Sequence, residues 1–414
     1  MTGNDLSYRR AIEALRAGVP NRDAVRVLGC SQPDIQERFE HQLEESKALA
    51  SEAKQVPGLV ISGGFGTGKS HLLEHLHHLA LEQNFVSSKI VISKETPLYD
   101  PAKLYRAAID AAVVPDKQGS ALREIAQTLD ESSGYPEFYQ RVTSDTSEFA
   151  SYFGASLVVY ENTRTRDLEQ CDRMISFWSG QKLGVSDLKK ALKLTGGSVT
   201  YPVVHILQRD LALQRLRFAS QLMLAAGYSG WVLLFDEVEL ISRYSLLQRA
   251  RSYAEFARWA GALEGEATPG LVAVFAATDI LASIGKDDQV PERLLARNSD
   301  SDRLLSSQAK EGMRKIGDAV PLTPPDRARI EDVGEKLRQV HAQAYDWSPS
   351  PARYDEPVLT TTRMRTCVRS WINRWDLERL CPGYTADIEA EESEPSLGED
   401  PDLELSSEPD EDAE

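Results

Sequence analysis

An α/β fold with a parallel core sheet is predicted by three stretches of the chain. Leu59-Val60-Ile61-Ser62 is a short apolar run that leads into Gly63-Gly64-Phe65-Gly66-Thr67-Gly68-Lys69-Ser70, and His71-Leu72-Leu73-Glu74-His75-Leu76 follows with apolar residues at helical spacing. Trp231-Val232-Leu233-Leu234-Phe235-Asp236-Glu237 is a second apolar run, ended by two carboxylates. Leu271-Val272-Ala273-Val274-Phe275-Ala276-Ala277-Thr278 is a third, ended by a hydroxyl. Buried strands separated by helical stretches are the pattern of a doubly covered parallel sheet.

The first stretch satisfies G-x-x-x-x-G-K-[ST] in its required strand–loop–helix setting. Glycines let backbone N–H groups approach phosphate oxygens without a Cβ in the way. The helix that starts there adds its positive dipole end. Gly63, Gly64, Phe65, Gly66, Thr67, Gly68, Lys69, Ser70 and His71 are therefore the candidate ATP-binding residues. Lys69 is suited to the β- and γ-phosphates, and the Ser70 hydroxyl to Mg²⁺.

Asp236 and Glu237 stand where a buried strand ends, the edge of an α/β sheet at which ligands bind. Asp236 is expected to hold Mg²⁺, mostly through water, and Glu237 to polarise the water that attacks the γ-phosphate. Beside that strand, Thr278 would hold the attacking water, a role Asp279 could share. The alternative for Thr278 is a strand end with a helix cap. The fold class that follows is a P-loop NTPase with a parallel five-stranded core sheet, a large helical insertion between the Walker A and Walker B strands, and a C-terminal helical lid. The expected domains are a helical segment 1–55, a core 56–325 with the insertion at about 100–226, a lid 326–385 and an acidic tail 386–414.

Taken in order, Ser7–Ala17 and Arg22–Leu28 read as two short helices, broken by Gly18-Val19-Pro20-Asn21. Their Arg9, Arg10, Arg16, Arg22 and Arg26 either touch nucleotide, DNA or a neighbouring subunit, or form a solvated face. Ile35–Ala53 reads as a longer amphipathic helix, and Lys89-Ile90-Val91-Ile92-Ser93 as the next strand. From Pro101 to Ala226 helical periodicity dominates, over far more residues than an ordinary connection. Gly196-Gly197-Ser198 and Thr143–Glu148 are its expected flexible points.

Glu239 and Arg243 follow the acidic pair on what reads as a helix, either as switch residues or, the preferred reading, as a surface ion pair. Asp287–Arg303 reads as a solvated loop whose Arg293, Arg297 and Arg303 are candidates for an arginine finger. Ala319-Val320-Pro321-Leu322 is a short fifth strand. Arg327–Ala344 and a helix opening at Thr361-Thr362-Arg363 form the lid, with Arg363, and beside it Arg365, placed to meet the phosphates.

The chain has 414 residues and a net charge of −17. Fourteen Asp and Glu, with no Lys or Arg, lie between Asp387 and Glu414, and without them the charge is −3. The tail is expected to be disordered, either as a solubiliser or as an acidic, DNA-mimicking arm. The body is neither repelled by nucleic acid nor a generally basic binder. The four cysteines form no C-x-x-C pair, no signal peptide is apparent, and no apolar run approaches the roughly 20 residues that span a bilayer. A cytoplasmic protein is expected. His71, His75, His77 and His78 crowd one helix without an H-E-x-x-H signature, so metal binding there is set aside.

The order of these parts resembles the additional-strand, catalytic-glutamate branch of P-loop ATPases, near the AAA+ and origin-recognition proteins. More closely, the chain resembles the ATP-binding proteins of bacterial BREX phage-defence loci. The residues that carry this are Arg9-Arg10-Ala11-Ile12-Glu13-Ala14-Leu15-Arg16-Ala17-Gly18-Val19-Pro20-Asn21-Arg22, the loop Gly63–Ser70, and Ala226-Gly227-Tyr228-Ser229-Gly230 running into Leu234-Phe235-Asp236-Glu237-Val238-Glu239. Arg251-Ser252-Tyr253-Ala254-Glu255 adds to it. The resemblance implies an ATPase that acts with defence-locus partners of helicase or methyltransferase type on DNA, bound directly or through those partners. A homo-oligomer is compatible with it. A nucleotide-dependent switch or scaffold is the competing function, and a small-molecule kinase a third.

Overall fold

The structure, a computed structural model, describes residues 3–18, 21–129, 132–194, 203, 206, 208–279, 281, 289–297, 299–354, 358, 363–381 and 383. Helices α1 (Gly3–Ala17), α2 (Arg22–Leu28) and α3 (Pro33–Ala50) lead to β1 (Leu59–Ser62), α4 (Lys69–Glu82) and β2 (Val86–Val91). Then come α5 (Pro101–Asp110), the short β3 (Ala112–Val113), α6 (Ala121–Thr128), α7 (Tyr135–Thr143), α8 (Ser151–Thr163), α9 (Leu168–Trp178), α10 (Val185–Leu194) and α11 (Gln208–Ala225). β4 (Trp231–Asp236) is followed by a 3₁₀ turn (Val238–Arg243), α12 (Leu246–Trp259) and β5 (Leu271–Ala277). The chain closes with α13 (Val290–Leu295), α14 (Asp300–Gly317), β6 (Val320–Pro321), α15 (Arg327–Tyr345) and α16 (Met364–Leu380). The acidic tail and Gly196-Gly197-Ser198 lie outside the described residues.

The sheet is mixed and six-stranded, in the order β3-β2-β4-β5-β1-β6. Every pairing is parallel except that of the edge strand β3, which runs antiparallel to β2. The sequence predicts five parallel strands and misses the antiparallel sixth: a two-residue strand leaves no periodicity to read. β5 lies between β1 and β4, so the glycine loop and the acidic pair leave the same edge of the sheet two strands apart.

β4 and β5 are apolar throughout because both faces of the sheet are covered. Alternate residues face opposite ways. Leu233, Phe235, Ala273 and Phe275 join one apolar cluster with Phe256 and Trp259 of α12. Leu234, Val274 and Ile61 join a second with α3 and α4. The Phe235 and Phe275 rings stack at 4.6 Å, and Phe256 meets Phe275 at 4.1 Å. Aromatic pairs of this kind add about 0.5–1.5 kcal/mol beyond their buried area.

β2 begins at Val86, three residues before the expected Lys89. Ser87 and Ser88 hid it, because they are buried polar residues with dedicated partners. The Ser87 hydroxyl meets His77 Nδ1 at 2.8 Å, and Ser88 Oγ accepts from Trp231 Nε1 at 2.9 Å. Helix ends also shift: α1 starts at Gly3 instead of Ser7, and α3 spans Pro33–Ala50 instead of Ile35–Ala53. The expected loop Asp287–Arg303 carries α13, which buries Val290 and Leu294.

Helices α5–α11 lie in sequence between β2 and β4, and α8 is buried along most of its length. A third apolar cluster is built from both ends of the chain. Ala11, Ile12 and Leu15 of α1 and Ala24 of α2 pack against Ile330, Val333, Val368 and Trp371 of α15 and α16. Arg16 of α1 is paired with Asp376 of α16, and Arg9 Nε donates to Ala344 O at 2.7 Å. Among the described residues no helix is long and apolar enough to cross a membrane.

Candidate functional site

The loop after β1 turns sharply because Gly66 and Gly68 take φ of +75° and +107°, a region that side chains with a Cβ rarely enter. Lys69 opens α4 and is nearly buried. Its ammonium donates to the carbonyls of Gly63 at 2.8 Å and Gly64 at 3.2 Å, so the loop folds around its own lysine. Thr67 Oγ1 donates to Gly64 O at 2.8 Å and braces the same turn.

Ser70 Oγ donates to Asp236 Oδ2 at 2.6 Å. Two motifs 166 residues apart in sequence thus meet directly. Asp236 Oδ1 accepts from the Glu237 N–H at 3.0 Å. A hydroxyl and a carboxylate from different elements make the all-oxygen donor set that a hard divalent cation prefers, so the residues fit Mg²⁺.

Glu237 has φ +59° and ψ +32°, a left-handed conformation that costs a non-glycine residue of order 1–3 kcal/mol. That backbone turns the chain out of the strand and into the 3₁₀ turn. Desolvation and the Asp236 charge raise the Glu237 carboxyl above the usual range, against the pull of Lys69 and Arg365.

Glu239 corrects the expectation of a surface ion pair. It is 5% exposed, and its Oε2 has no hydrogen-bond partner. The tight turn after Glu237 carries it inward. Burial first, then the carboxylates of Glu237 and Asp236, push it up to about 7, opposed by Lys69. The native state therefore holds a proton that the unfolded chain releases above its ordinary pKa of about 4.3. Stability should fall as pH rises from about 4.5 to about 7, and Glu239→Gln should remove that component. Melting temperatures of both proteins across this window check the prediction, with the variant gaining relative to the parent at alkaline pH.

A cavity lies over the loop. Its floor is Phe65–His71 with Asp236 and Glu237. One wall is apolar: Leu15, Leu28, Val333, Met364 and Val368. Arg329 of α15 and Arg365 of α16 complete it, with Gln32 and Thr323. Gln32 Nε2 donates to Thr323 O at 3.0 Å, and its Oε1 accepts from Thr323 N at 2.9 Å, tying the start of α3 to the loop after β6. His71 Nε2 meets Gly29 O at 2.9 Å and joins α4 to the turn after α2.

The other sequence candidates fall around this cavity or away from it. Arg365 lines it, and its backbone N–H donates to Gly66 O at 3.3 Å. Arg363 packs against Gly66 but is not among the lining residues. Gly63 and Gly64 bind the lysine from below. Thr278 is buried, and its hydroxyl accepts from Leu281 N at 3.3 Å, the geometry of a helix cap. Asp279 stands at the strand end, beside Gly64.

Sequence reasoning missed the apolar wall and the Gln32 clasp, because both join residues some 300 positions apart. The one available signal was the stretch Arg9–Arg22, singled out for its resemblance and not for its chemistry.

An α/β sheet with such a loop and acidic pair at its carboxyl edge defines the nucleotide-binding class. The chain belongs to the family described as BREX system ATP-binding protein BrxC/D, whose family model matches residues 6–131 and 140–375. It is thus an ATP-binding protein of a BREX defence system, whose partners are other proteins of that system. No curated protein and no solved structure matches the chain.

Proposed function

We propose that the protein is a Mg²⁺-dependent ATPase, a P-loop NTPase of AAA+ type, whose cycle rearranges a DNA-associated defence assembly. The observation that carries this reading is the direct contact of Ser70 with Asp236 beneath an open glycine loop. The loop amides and the first turn of α4 bind the triphosphate. Lys69 exchanges the carbonyls of Gly63 and Gly64 for β- and γ-phosphate oxygens. The base lies along Leu15, Leu28, Val333, Met364 and Val368, and Arg365 meets the phosphates from the lid side.

Ser70 and Asp236 would hold Mg²⁺, which when bound offsets the charge of the phosphates. Glu237 accepts a proton from the attacking water as the new O–P bond forms and the bond to ADP breaks. Its raised pKa makes it a stronger base than an unperturbed carboxylate. Arg363 braces the loop at Gly66 in this scheme, and Thr278 shapes the turn beside the attacking water.

A second reading, a switch or scaffold that hydrolyses ATP slowly, is favoured by the cavity wall. α1 and α16 both contribute to it, so occupancy ties the lid to the loop. Rates measured with and without DNA and partner proteins separate the two. Under either reading, Lys69→Ala should weaken ATP binding by about 10–100-fold, the worth of a charge-assisted contact. Titration of a fluorescent ATP analogue checks this, and unchanged affinity would remove the loop from the nucleotide site.

A further inference from the structure

The helical insertion carries a charged surface that the nucleotide site does not use. α9 and α10 both pack on the buried α8, forming a three-helix unit. α10 turns Leu188, Ala191 and Leu192 inward. Its outer face is left to Lys189, Lys190 and Lys193, and Lys182 stands in the turn before it. All four lysines are exposed, and none makes an ion pair among the described residues. The nearby carboxylates are committed elsewhere: Asp187 lies 3.4 Å from Arg173, and Asp172 lies 2.9 Å from Arg123. The turn holds Gly180, with φ +105°, against Arg106 of α5. That adds a fifth cation, paired at 4.0 Å with Asp110 one turn on.

The sequence around this unit is as lopsided as the surface. Residues 179–217 contain seven Lys and Arg against two Asp, in a chain whose remainder before the tail is acidic on balance. Cations clustered on one outward helix face are the electrostatic footprint of a surface that meets nucleic acid. Lysine is a flexible point charge suited to phosphates, and phosphate contacts carry no sequence information.

We propose that the outer face of α10, with Lys182, binds the phosphate backbone of duplex DNA without sequence preference. This deepens the DNA-associated reading above and rests on it. Counterion release makes such binding fall with salt, by a slope of about 0.9 per phosphate neutralised.

The test is fluorescence anisotropy of the full chain with a labelled duplex of random sequence, titrated over a range of potassium chloride. Replacing Lys182, Lys189, Lys190 and Lys193 by Gln should flatten the slope of log affinity against log salt by about 3–4 and weaken binding at least ~10-fold at low salt. Arginine at the same four positions should keep the parent slope. ATP affinity, measured on the same samples, should be unchanged throughout, which also reports that the glutamine variant is folded. A parent protein that ignores the duplex while binding ATP would overturn the proposal and leave the nucleotide site standing. A glutamine variant with the parent slope would overturn the surface while leaving DNA binding to another face.

Discussion

Glu237→Gln should leave ATP affinity within about twofold and lower turnover by about 10²–10⁴, the usual worth of a general base. Glutamine has the shape of the glutamate and keeps the backbone N–H that Asp236 Oδ1 accepts. It cannot take up a proton at neutral pH. Removing a negative charge beside Asp236 also relieves repulsion on the incoming triphosphate, so binding should not suffer. Steady-state phosphate release and nucleotide titration on one preparation separate the two effects. Normal turnover in the variant would take the base role away from Glu237.

A large effect on stability is expected at Gly230, just before the strand that delivers Asp236. Its φ is +144°, and a Cβ there would stand 2.2 Å from Gly270 O and 3.0 Å from the Phe85 ring. Neither neighbour can retreat. Gly230 O accepts from Val86 N at 3.0 Å, and Trp231 N donates to Gly270 O at 2.8 Å. Gly230→Ala must therefore part β4 from one neighbour, at a cost of about 3–5 kcal/mol. Gly265→Ala is the matched control. It also has a positive φ, +76°, but nothing lies within 4 Å, so it should cost only about 1 kcal/mol. Denaturant midpoints of the three proteins give the comparison, and equal losses would mean that the close approach at Gly270 is relaxed in solution.

What could be read from the chain depended on how local the signal was. β1, β4 and β5 announce themselves because strands covered on both faces are continuously apolar, and the glycine loop because phosphate binding needs its residues in a row. β2 was misplaced by Ser87 and Ser88, whose burial depends on His77 and on Trp231, 143 residues away from Ser88. Glu239 reads as a surface residue until the left-handed step at Glu237 turns it inward. The wall of the cavity was illegible for a plainer reason. Leu15 and Val368 look like ordinary helix-core positions, and only the tertiary fold brings them to one opening.

The apolar cluster shared by the two ends of the chain bears on how the protein is made. Arg16 and its partner Asp376 are 360 residues apart, so at ordinary ribosome speeds α1 leaves the exit tunnel roughly 20–70 s before the helix that covers it. Through most of that interval its apolar side has only α2 against it, and the cavity lacks the wall that Val333, Met364 and Val368 supply. A nascent chain can shape the glycine loop early, but on the proposed reading it can grip a nucleotide from both sides only after α16 has emerged.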